Sequence, residues 1–369
     1  MKKILFGTTA LVGALALTTA ADEAKAQSIN IGGALDLTIS GSTDFGIEYA
    51  DEDLEVEDPD GDGDRREFFF NQDHEIVFAG VGVGDTTGIE YGFNLQLERQ
   101  DGDGAGFDEA YTFISGNFGE FRLGNEDAVT DQLLITASFV AAGTGGVDGN
   151  HRALGGHQIA DSGEATKILY FTPQVAGFQG GISYAINSGD SGETAGLIAG
   201  TIDPVTGDVV GANTTNHVDV GANWQGEFGG VGLGVYGGAT FFTVEQLAAV
   251  GDDEDVINYQ FGGYADVMGI GLSGSLGFED EDLPGARDFF YNIGVGGEFA
   301  GVGLSFNFQQ DDFEDGTNQP ENQEQYIFGA SVPLLPGVAL DADVAYVSDF
   351  QGDDDRDGLN ALAELGVSF

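Results

Sequence analysis

The chain alternates bulky apolar residues with small or polar ones through positions 270 to 279, which read Ile270-Gly271-Leu272-Ser273-Gly274-Ser275-Leu276-Gly277-Phe278-Glu279. Apart from Gly274, every even position carries a large apolar side chain. Successive side chains of a β-strand point to opposite faces, so a period of two predicts a strand with one apolar and one polar face. This stretch therefore predicts a half-buried strand.

The same alternation recurs along the chain, for example in segments 218–228, 289–299, 302–309 and 359–369. In a soluble β-sandwich the apolar faces would pack against a second layer. The pattern shows no helical layer that could cover them, and the opposite faces are small and acidic. Apolar side chains outside and polar ones inside are typical of a membrane barrel, so we predict an all-β transmembrane antiparallel up-and-down β-barrel of about 16 strands. A soluble sandwich is the alternative.

The connections between these segments alternate in length. Short turns are expected at 228–230, 268–269 and 300–301, and longer acidic loops at 51–64, 252–255, 280–282, 311–315 and 353–357. Outer-membrane barrels join their strands by short periplasmic turns on one side and longer extracellular loops on the other. The alternation therefore favours the barrel over the sandwich.

One connection, at about 125–165, shows no clean alternation and is too long for a simple link between strands. It follows the fifth predicted strand, so it is the third extracellular loop. It contains the apolar run 133–142, which needs a surface to pack against. We predict that this loop folds into the barrel interior.

The first 26 residues read as a cleaved signal peptide. Lys2 and Lys3 precede a short apolar stretch, and Ala24-Lys25-Ala26 matches a signal-peptidase site. The apolar stretch is shorter than a membrane-spanning helix requires. We therefore predict export, with a leader at 1–26 and a barrel domain at 27–369; cleavage near Ala20-Ala21 is the alternative.

Composition excludes several classes of protein. The formal net charge is −52, whereas nucleic-acid binding depends on Lys and Arg neutralising phosphates, so no nucleic-acid partner is expected. Cysteine is absent, which excludes disulfides and thiolate metal sites. The sequence has no G-x-S-x-G motif, and its four histidines lack metal-ligand spacing, so we expect no enzymatic activity. We expect no cofactor, except that Ca²⁺ could bind the acidic extracellular loops, for which the candidate ligands are Asp58, Asp60, Asp62 and Asp64.

Several segments, in this order and spacing, are similar to those of a known family: Ile39-Ser40-Gly41 with Phe45-Gly46-Ile47-Glu48-Tyr49, Gly88-Ile89-Glu90-Tyr91-Gly92-Phe93, Ser115-Gly116-Asn117-Phe118-Gly119, Ile168-Leu169-Tyr170-Phe171-Thr172-Pro173 and the terminal Phe369. Together they resemble trimeric general diffusion porins of Gram-negative outer membranes, of the alphaproteobacterial type. The resemblance implies a homotrimer in the outer membrane, in contact with lipid and lipopolysaccharide. It also implies that the barrel-assembly machinery recognises Phe369.

In that family the third loop narrows the lumen, and acidic loop residues usually face arginines on the wall. Where wall arginines are often found, this chain has Asp44, Glu75 and Asp108. The loop supplies Glu126, Asp127 and Asp131, together with Arg152.

Rings of carboxylates in a narrow pore favour cations. We therefore predict a cation-preferring channel for passive diffusion of small hydrophilic solutes. In one alternative, the acidity serves solubility in a saline habitat and selectivity is mild. In another, the same type of barrel forms a substrate-specific channel.

Overall fold

The computed structural model describes residues 29–31, 35–50, 67–84, 86–100, 106–151, 156–187, 201–202, 209–210, 213–245, 253–280, 287–313, 322–348 and 357–369. Within these residues, sixteen strands form a closed antiparallel barrel. They are β1 Leu35–Ala50, β2 Phe68–Val83, β3 Glu90–Gln100, β4 Gly106–Gly116, β5 Gly119–Asn125, β6 Thr166–Phe171, β7 Phe178–Asn187, β8 Asn213–Phe228, β9 Val231–Glu245, β10 Glu254–Val267, β11 Ile270–Phe278, β12 Arg287–Phe299, β13 Val302–Phe313, β14 Asn322–Leu335, β15 Val338–Ser348 and β16 Gly358–Ser368.

Each strand pairs with its neighbours in sequence, and the last strand closes the ring on the first. In this closing pair Ser42 of β1 lies opposite Ser368 of β16. Beyond the strand end, Gly41 and Phe369 exchange backbone hydrogen bonds of 3.1 and 3.0 Å. A closed ring leaves no strand edge unpaired, which a barrel in lipid requires. The predicted fold class is confirmed.

A few short elements lie beside the barrel strands. Residues Ile29–Ile31 pair with the start of β1, and Thr201–Ile202 pair with Val209–Val210. The α-helix Val129–Gln132 and the 3₁₀ helices Ala137–Val140 and Gly146–Asp148 all belong to the connection between β5 and β6. No helix among the described residues is long and apolar enough to cross a membrane.

The two ends of the barrel differ in the length of their connections. At the end that we call the turn rim, two-residue turns lie at 229–230, 268–269 and 300–301, and both residues of each have positive φ. Met268 has φ 59° and Gly269 has φ 80°. Such pairs form type I′ turns, whose twist matches that of the flanking strands. The longer connections share the opposite end, the loop rim.

The structure corrects two of the predicted loops. The sequence predicts a loop at Asp311 and Asp312, but both belong to β13, which continues to Phe313. Glu254 and Asp255 similarly belong to β10. These strands extend further because acidic side chains on the inner face continue the alternation between the two faces. In the sequence, the run of acidic residues makes that alternation hard to recognise.

Side-chain exposure confirms that the apolar face points outwards. On β11, Leu272 is 54% exposed whereas Ser275 is 7% exposed. The outward face also carries a row of aromatic rings near the loop rim, running from Phe278 through Phe289, Tyr291, Phe308 and Tyr326 to Tyr346, with neighbouring centroids 5.0 to 6.3 Å apart. Tyr326 and Tyr346 donate hydrogen bonds to Glu324 and Asp357. Aromatic girdles of this kind mark the interface between membrane and water.

Candidate pore constriction

The connection between β5 and β6, here called loop 3, lies inside the barrel. Its forward segment, residues 126–151, follows the inner wall from β7 to β15 and ends against β16 and β2. Single wall side chains hold its backbone: the amides of Ala137, Ala142 and Thr144 donate to Asn292, Ser305 and Asp343 at 2.8, 2.8 and 2.6 Å. Further wall side chains donate to loop carbonyls, namely Asn223 to Leu133, Tyr236 to Thr130, Ser273 to Ala137 and Asn71 to Asn150.

Wall glycines allow this close approach. A Cβ built on Gly296 would lie 1.9 Å from the carbonyl oxygen of Val140, and one on Gly262 would lie 1.9 Å from that of Ile135. On Gly329 it would lie 2.0 Å from the carbonyl oxygen of Ala142. Since real Cβ atoms do not come this close to a backbone oxygen, these three strands need glycine where the loop crosses them.

The apolar run predicted at 133–142 packs against the inner wall. Leu133 and Ile135 are buried with Leu169, Phe171 and Tyr236 of the wall. The ring of Phe139 also stacks on Tyr264, with centroids 4.4 Å apart. The apolar side chains of the loop therefore supply a core inside an otherwise polar lumen.

A return segment, residues 156–165, leads back to β6 nearer the loop rim. Ile159 donates from its amide to Gln260 of β10 at 3.1 Å, and Gln260 donates to the carbonyl of His157 at 2.9 Å. Thr240 of β9 donates to the carbonyl of Ala160 at 2.8 Å, and Ser162 donates to Asp219 of β8 at 2.6 Å. Loop 3 thus contacts the wall at two levels.

The inner wall from β15 through β16 and β1 to β4 is lined with carboxylates. We call seven of them the acidic wall: Asp44, Asp73, Glu75, Glu98, Asp108, Asp341 and Glu364. Six form directly opposed cross-strand pairs, which are Asp44–Asp73, Glu75–Glu98 and Asp341–Glu364. Like charges in such positions destabilise a sheet. Three such pairs on neighbouring strands therefore concentrate negative charge at a cost in stability.

A β-bulge adds to the acidic wall on β4. The register shifts between Leu95 and Leu97, so that Asp108 and Glu109 both come within reach of inward side chains of β3. Gln96 donates to Glu75 and Asp108 at 3.1 and 3.0 Å and so links β2, β3 and β4. Asn94 donates to Glu109 at 3.1 Å.

Acidic side chains of loop 3 meet the acidic wall at β4. Glu164 hydrogen-bonds to Asp108; burial, followed by this contact, raises the pKa of Glu164 to about 8. Burial also raises the pKa of Asp127, although Lys167 opposes the shift. Burial and the neighbouring Asp127 raise the pKa of Asp131 well above its usual value. The carboxyl of Glu164 is therefore mostly neutral at pH 7.

Three basic side chains near the constriction are buried and paired. Arg122 donates to Glu120 at 2.6 Å and forms an ion pair with Glu126 at 3.0 Å. Lys167 donates to the carbonyl of Gly163, and Arg287 forms ion pairs with Glu279 and Asp311. Each positive charge lies between the wall and loop 3 next to acceptors, so it contributes little positive potential to the lumen.

Within the described residues, the predicted constriction residues fall into three groups. Asp44, Glu75 and Asp108 lie on the acidic wall. Asp127 and Asp131 lie at the start of loop 3, where Asp127 is close to Asp108 and Asp131 is close to Asp127 and Asp161. Glu126 is fully buried against Arg122 rather than exposed to the lumen, and burial raises its pKa to about 7. Arg152 lies outside the described residues, as do Asp58, Asp60, Asp62 and Asp64, so calcium binding stays a prediction. Across the described part of the chain, no group of three or more His, Asp or Glu side chains could hold a metal ion.

Sequence reasoning missed Asp73, Glu98, Asp341 and Glu364. The strand period places each of them on an inner face, but their proximity depends on the register between strands. It also missed Arg287, which is the first residue of β12. Phe369 lies at the turn rim, paired with Gly41, and its role in assembly stays a prediction.

The sequence matches a known protein family over most of its length. A sequence model described as Gram-negative porin matches residues 7–352. The chain is similar to outer membrane porin protein 32 of Delftia acidovorans, with 31% identity over 184 residues that cover 47% of this chain and 48% of that protein. It thus spans about half the length of this curated relative.

Two solved structures have the same barrel fold. A mutant of the Rh. blastica porin superposes with a TM-score of 0.61 at 14% identity, covering 90% of this chain and 100% of that chain. An anion-selective porin from Comamonas acidovorans superposes with a TM-score of 0.59 at 19% identity, covering 91% and 100%. At these identities the likeness concerns the fold alone.

Proposed function

Because the chain belongs to the Gram-negative porin family, we propose that it forms a water-filled outer-membrane channel through which small hydrophilic solutes diffuse passively and cations pass in preference to anions. The observation that carries the preference is the acidic wall, with its three opposed carboxylate pairs in register. Carboxylates lining a narrow pore raise the local concentration of cations and repel anions.

The positions of the basic side chains support the same preference. In the described part of the lumen, Arg122, Lys167 and Arg287 each donate to carboxylates or carbonyls behind loop 3. Carboxylates neutralise the two arginines at their own contacts, and Lys167 lies close to Asp161 and Asp219, so these three charges add little to the potential in the pore. The negative charge of the wall therefore dominates the potential across the lumen.

The preference would set this channel apart from one of its structural neighbours, which is described as an anion-selective porin. Barrel architecture does not fix ion preference, because the sign depends on the side chains that line the narrow zone. The fold likeness therefore carries no prediction of anion preference for this chain.

Reversal potentials in planar bilayers test the proposal. With a tenfold KCl gradient across the membrane, we expect the purified protein to give the sign for K⁺ permeating faster than Cl⁻. A potential of the opposite sign would contradict the cation preference. Absence of any conductance would contradict the channel itself.

We also propose that the protein is exported after cleavage at residue 26 and assembles as a homotrimer in contact with outer-membrane lipid and lipopolysaccharide. The family resemblance supports the trimer, and the outward apolar face with its aromatic rings supports insertion in lipid. Mass spectrometry of the purified protein should give an N-terminus at Gln27. Unheated samples should migrate as a trimer in gel electrophoresis, and migration as a monomer under the same conditions would contradict that assembly.

A further inference from the structure

We propose that Arg287 is a positioning residue, which holds the return segment of loop 3 against the wall and so fixes the width of the lumen. The inference rests on the proposed channel function and adds the residue that maintains the constriction. Arg287 begins β12 at the loop rim, where the return segment crosses that strand. Its side chain is 8% exposed and lies between wall and loop.

The guanidinium has five N–H donors, and each of them has an acceptor. On the wall, Nε and Nη2 donate to the two carboxylate oxygens of Glu279 at 3.2 and 2.9 Å, and Nη1 donates to Asp311 at 3.1 Å. Towards the loop, Nη1 also donates to the carbonyl of Gly156, and Nη2 donates to that of Gln158 at 2.6 Å. The side chain thus connects three carboxylate oxygens of Glu279 and Asp311 to two loop carbonyls.

The direction of the planar group is itself fixed. The guanidinium carbon lies 3.9 Å from the ring centroid of Phe290 on the same strand, a stacked arrangement that favours arginine. Glu279 also accepts from the backbone amide of Arg287 at 2.9 Å. These wall contacts therefore orient the two remaining donors towards the loop.

Other wall side chains hold the same part of the return segment, among them Gln260, which contacts the backbone of His157 and Ile159. Gln309 of β13 donates to the carbonyl of Gly156 at 3.1 Å, and Glu279 accepts from the amide of Ala160 at 3.1 Å. Residues 156–162 have no helix or strand of their own. The position of this stretch thus depends on wall side chains, and among those that the structure describes Arg287 is the one that donates to two of its carbonyls.

Arg287 acts through position and not through its charge. Its positive charge is balanced by Glu279 and Asp311, which are themselves buried with it. Lysine would keep this charge, but its ammonium group has three donors instead of five and cannot form the planar bidentate contact with Glu279. The substitution Arg287→Lys therefore separates position from charge.

Single-channel recording and liposome swelling test the proposal. For Arg287→Lys we expect normal assembly, open-channel current noise several-fold higher than in the parent, and faster entry of large sugars, while the sign of the reversal potential stays unchanged. Arg99→Lys, on an exposed arginine of β3, is the matched control and should match the parent in every measurement. Noise and sugar permeation equal to those of the parent would overturn the proposal.

A second variant keeps the test open if Arg287→Lys fails to assemble. Gln309→Leu removes another donor to the carbonyl of Gly156 and should raise the noise in the same direction by a smaller factor. Parent-like noise in Gln309→Leu, together with failed assembly of Arg287→Lys, would mean that Arg287 stabilises the barrel and does not position the loop. If the parent protein itself showed no cation preference, the proposed function would be refuted instead.

Discussion

Glu164 lies where loop 3 meets the acidic wall, and its titration should be visible in ion selectivity. Burial and the hydrogen bond to Asp108 raise its pKa to about 8, so the carboxyl is mostly neutral at pH 6 and mostly charged at pH 9. We predict that the ratio of cation to anion permeability rises over this range. Glu164→Gln should flatten the rise, whereas Glu227→Gln at the turn rim should leave it unchanged. An equal slope in Glu164→Gln and the parent would contradict the assignment.

Asp161, in the return segment, makes the stability of the fold depend on pH. Burial, followed by the neighbouring Asp219, raises its pKa to about 6. A carboxyl with a higher pKa in the folded than in the unfolded chain stabilises the fold at low pH, and this contribution is lost as the pH rises through the folded value. For Asp161→Asn we therefore predict a gain of roughly 1–3 kcal/mol at pH 8 and no gain at pH 4.

The asparagine keeps both contacts of Asp161, because its amide can donate to Thr130 and its oxygen can accept from the amide of Gly163. Thermal unfolding of parent and variant, followed by circular dichroism at the two pH values, checks the prediction. A variant that is no more stable than the parent at pH 8 would show that the ionised carboxylate costs nothing at this position.

Strand β12 contributes a glycine on which the forward segment depends. A methyl group at Gly296 would meet the carbonyl oxygen of Val140 at 1.9 Å, so Gly296→Ala must displace the loop or the strand. We predict a stability loss of about 1–3 kcal/mol, typical of overpacking, together with a changed single-channel conductance. Gly232→Ala is the control, since its methyl would meet its nearest neighbour at an ordinary 3.5 Å. Parent-like conductance in Gly296→Ala would contradict the fit of loop and wall.

The elements differ in how far the sequence predicts them. The period of two in 270–279 predicts β11 and its outward face, because alternation within one strand is a local property. The apolar run 133–142 predicts a buried loop, because a run of apolar side chains is also a local property of the sequence. The pairing of Glu75 with Glu98, by contrast, depends on register between strands, and the approach of Asp108 to Gln96 depends on a bulge. No local pattern encodes either of them.

The residues of the candidate site likewise divide into those that the sequence predicts and those that it does not. Asp44, Glu75 and Asp108 could be placed on the wall by resemblance and strand period. The burial of Glu126 against Arg122 could not be predicted. The sequence does not distinguish a loop carboxylate that faces the lumen from one that is paired with an arginine. Arg287 contacts Gly156 and Gln158, which precede it by 131 and 129 positions in the sequence. Only the closed barrel brings these segments together.

For the whole molecule, the formal net charge of −52 is less informative than its distribution. A preference that arises from lumenal carboxylates should weaken as salt screens them, since the Debye length falls from about 10 Å at 0.1 M to about 3 Å at 1 M. We predict that the permeability ratio of K⁺ to Cl⁻ declines with rising mean KCl concentration at a constant gradient. A ratio that stays constant would point to a preference set by pore size or by direct ion coordination.

The most direct test is the reversal potential of a channel whose acidic wall has been neutralised. The variant Asp73→Asn, Glu75→Gln, Asp341→Asn removes one carboxylate from each opposed pair. The control Asp253→Asn, Asp255→Asn, Asp280→Asn removes the same charge near the loop rim. In a tenfold KCl gradient we predict that the wall variant loses most of the cation-selective potential of the parent, while the control keeps most of it. Equal potentials in the wall variant and the parent would contradict the account.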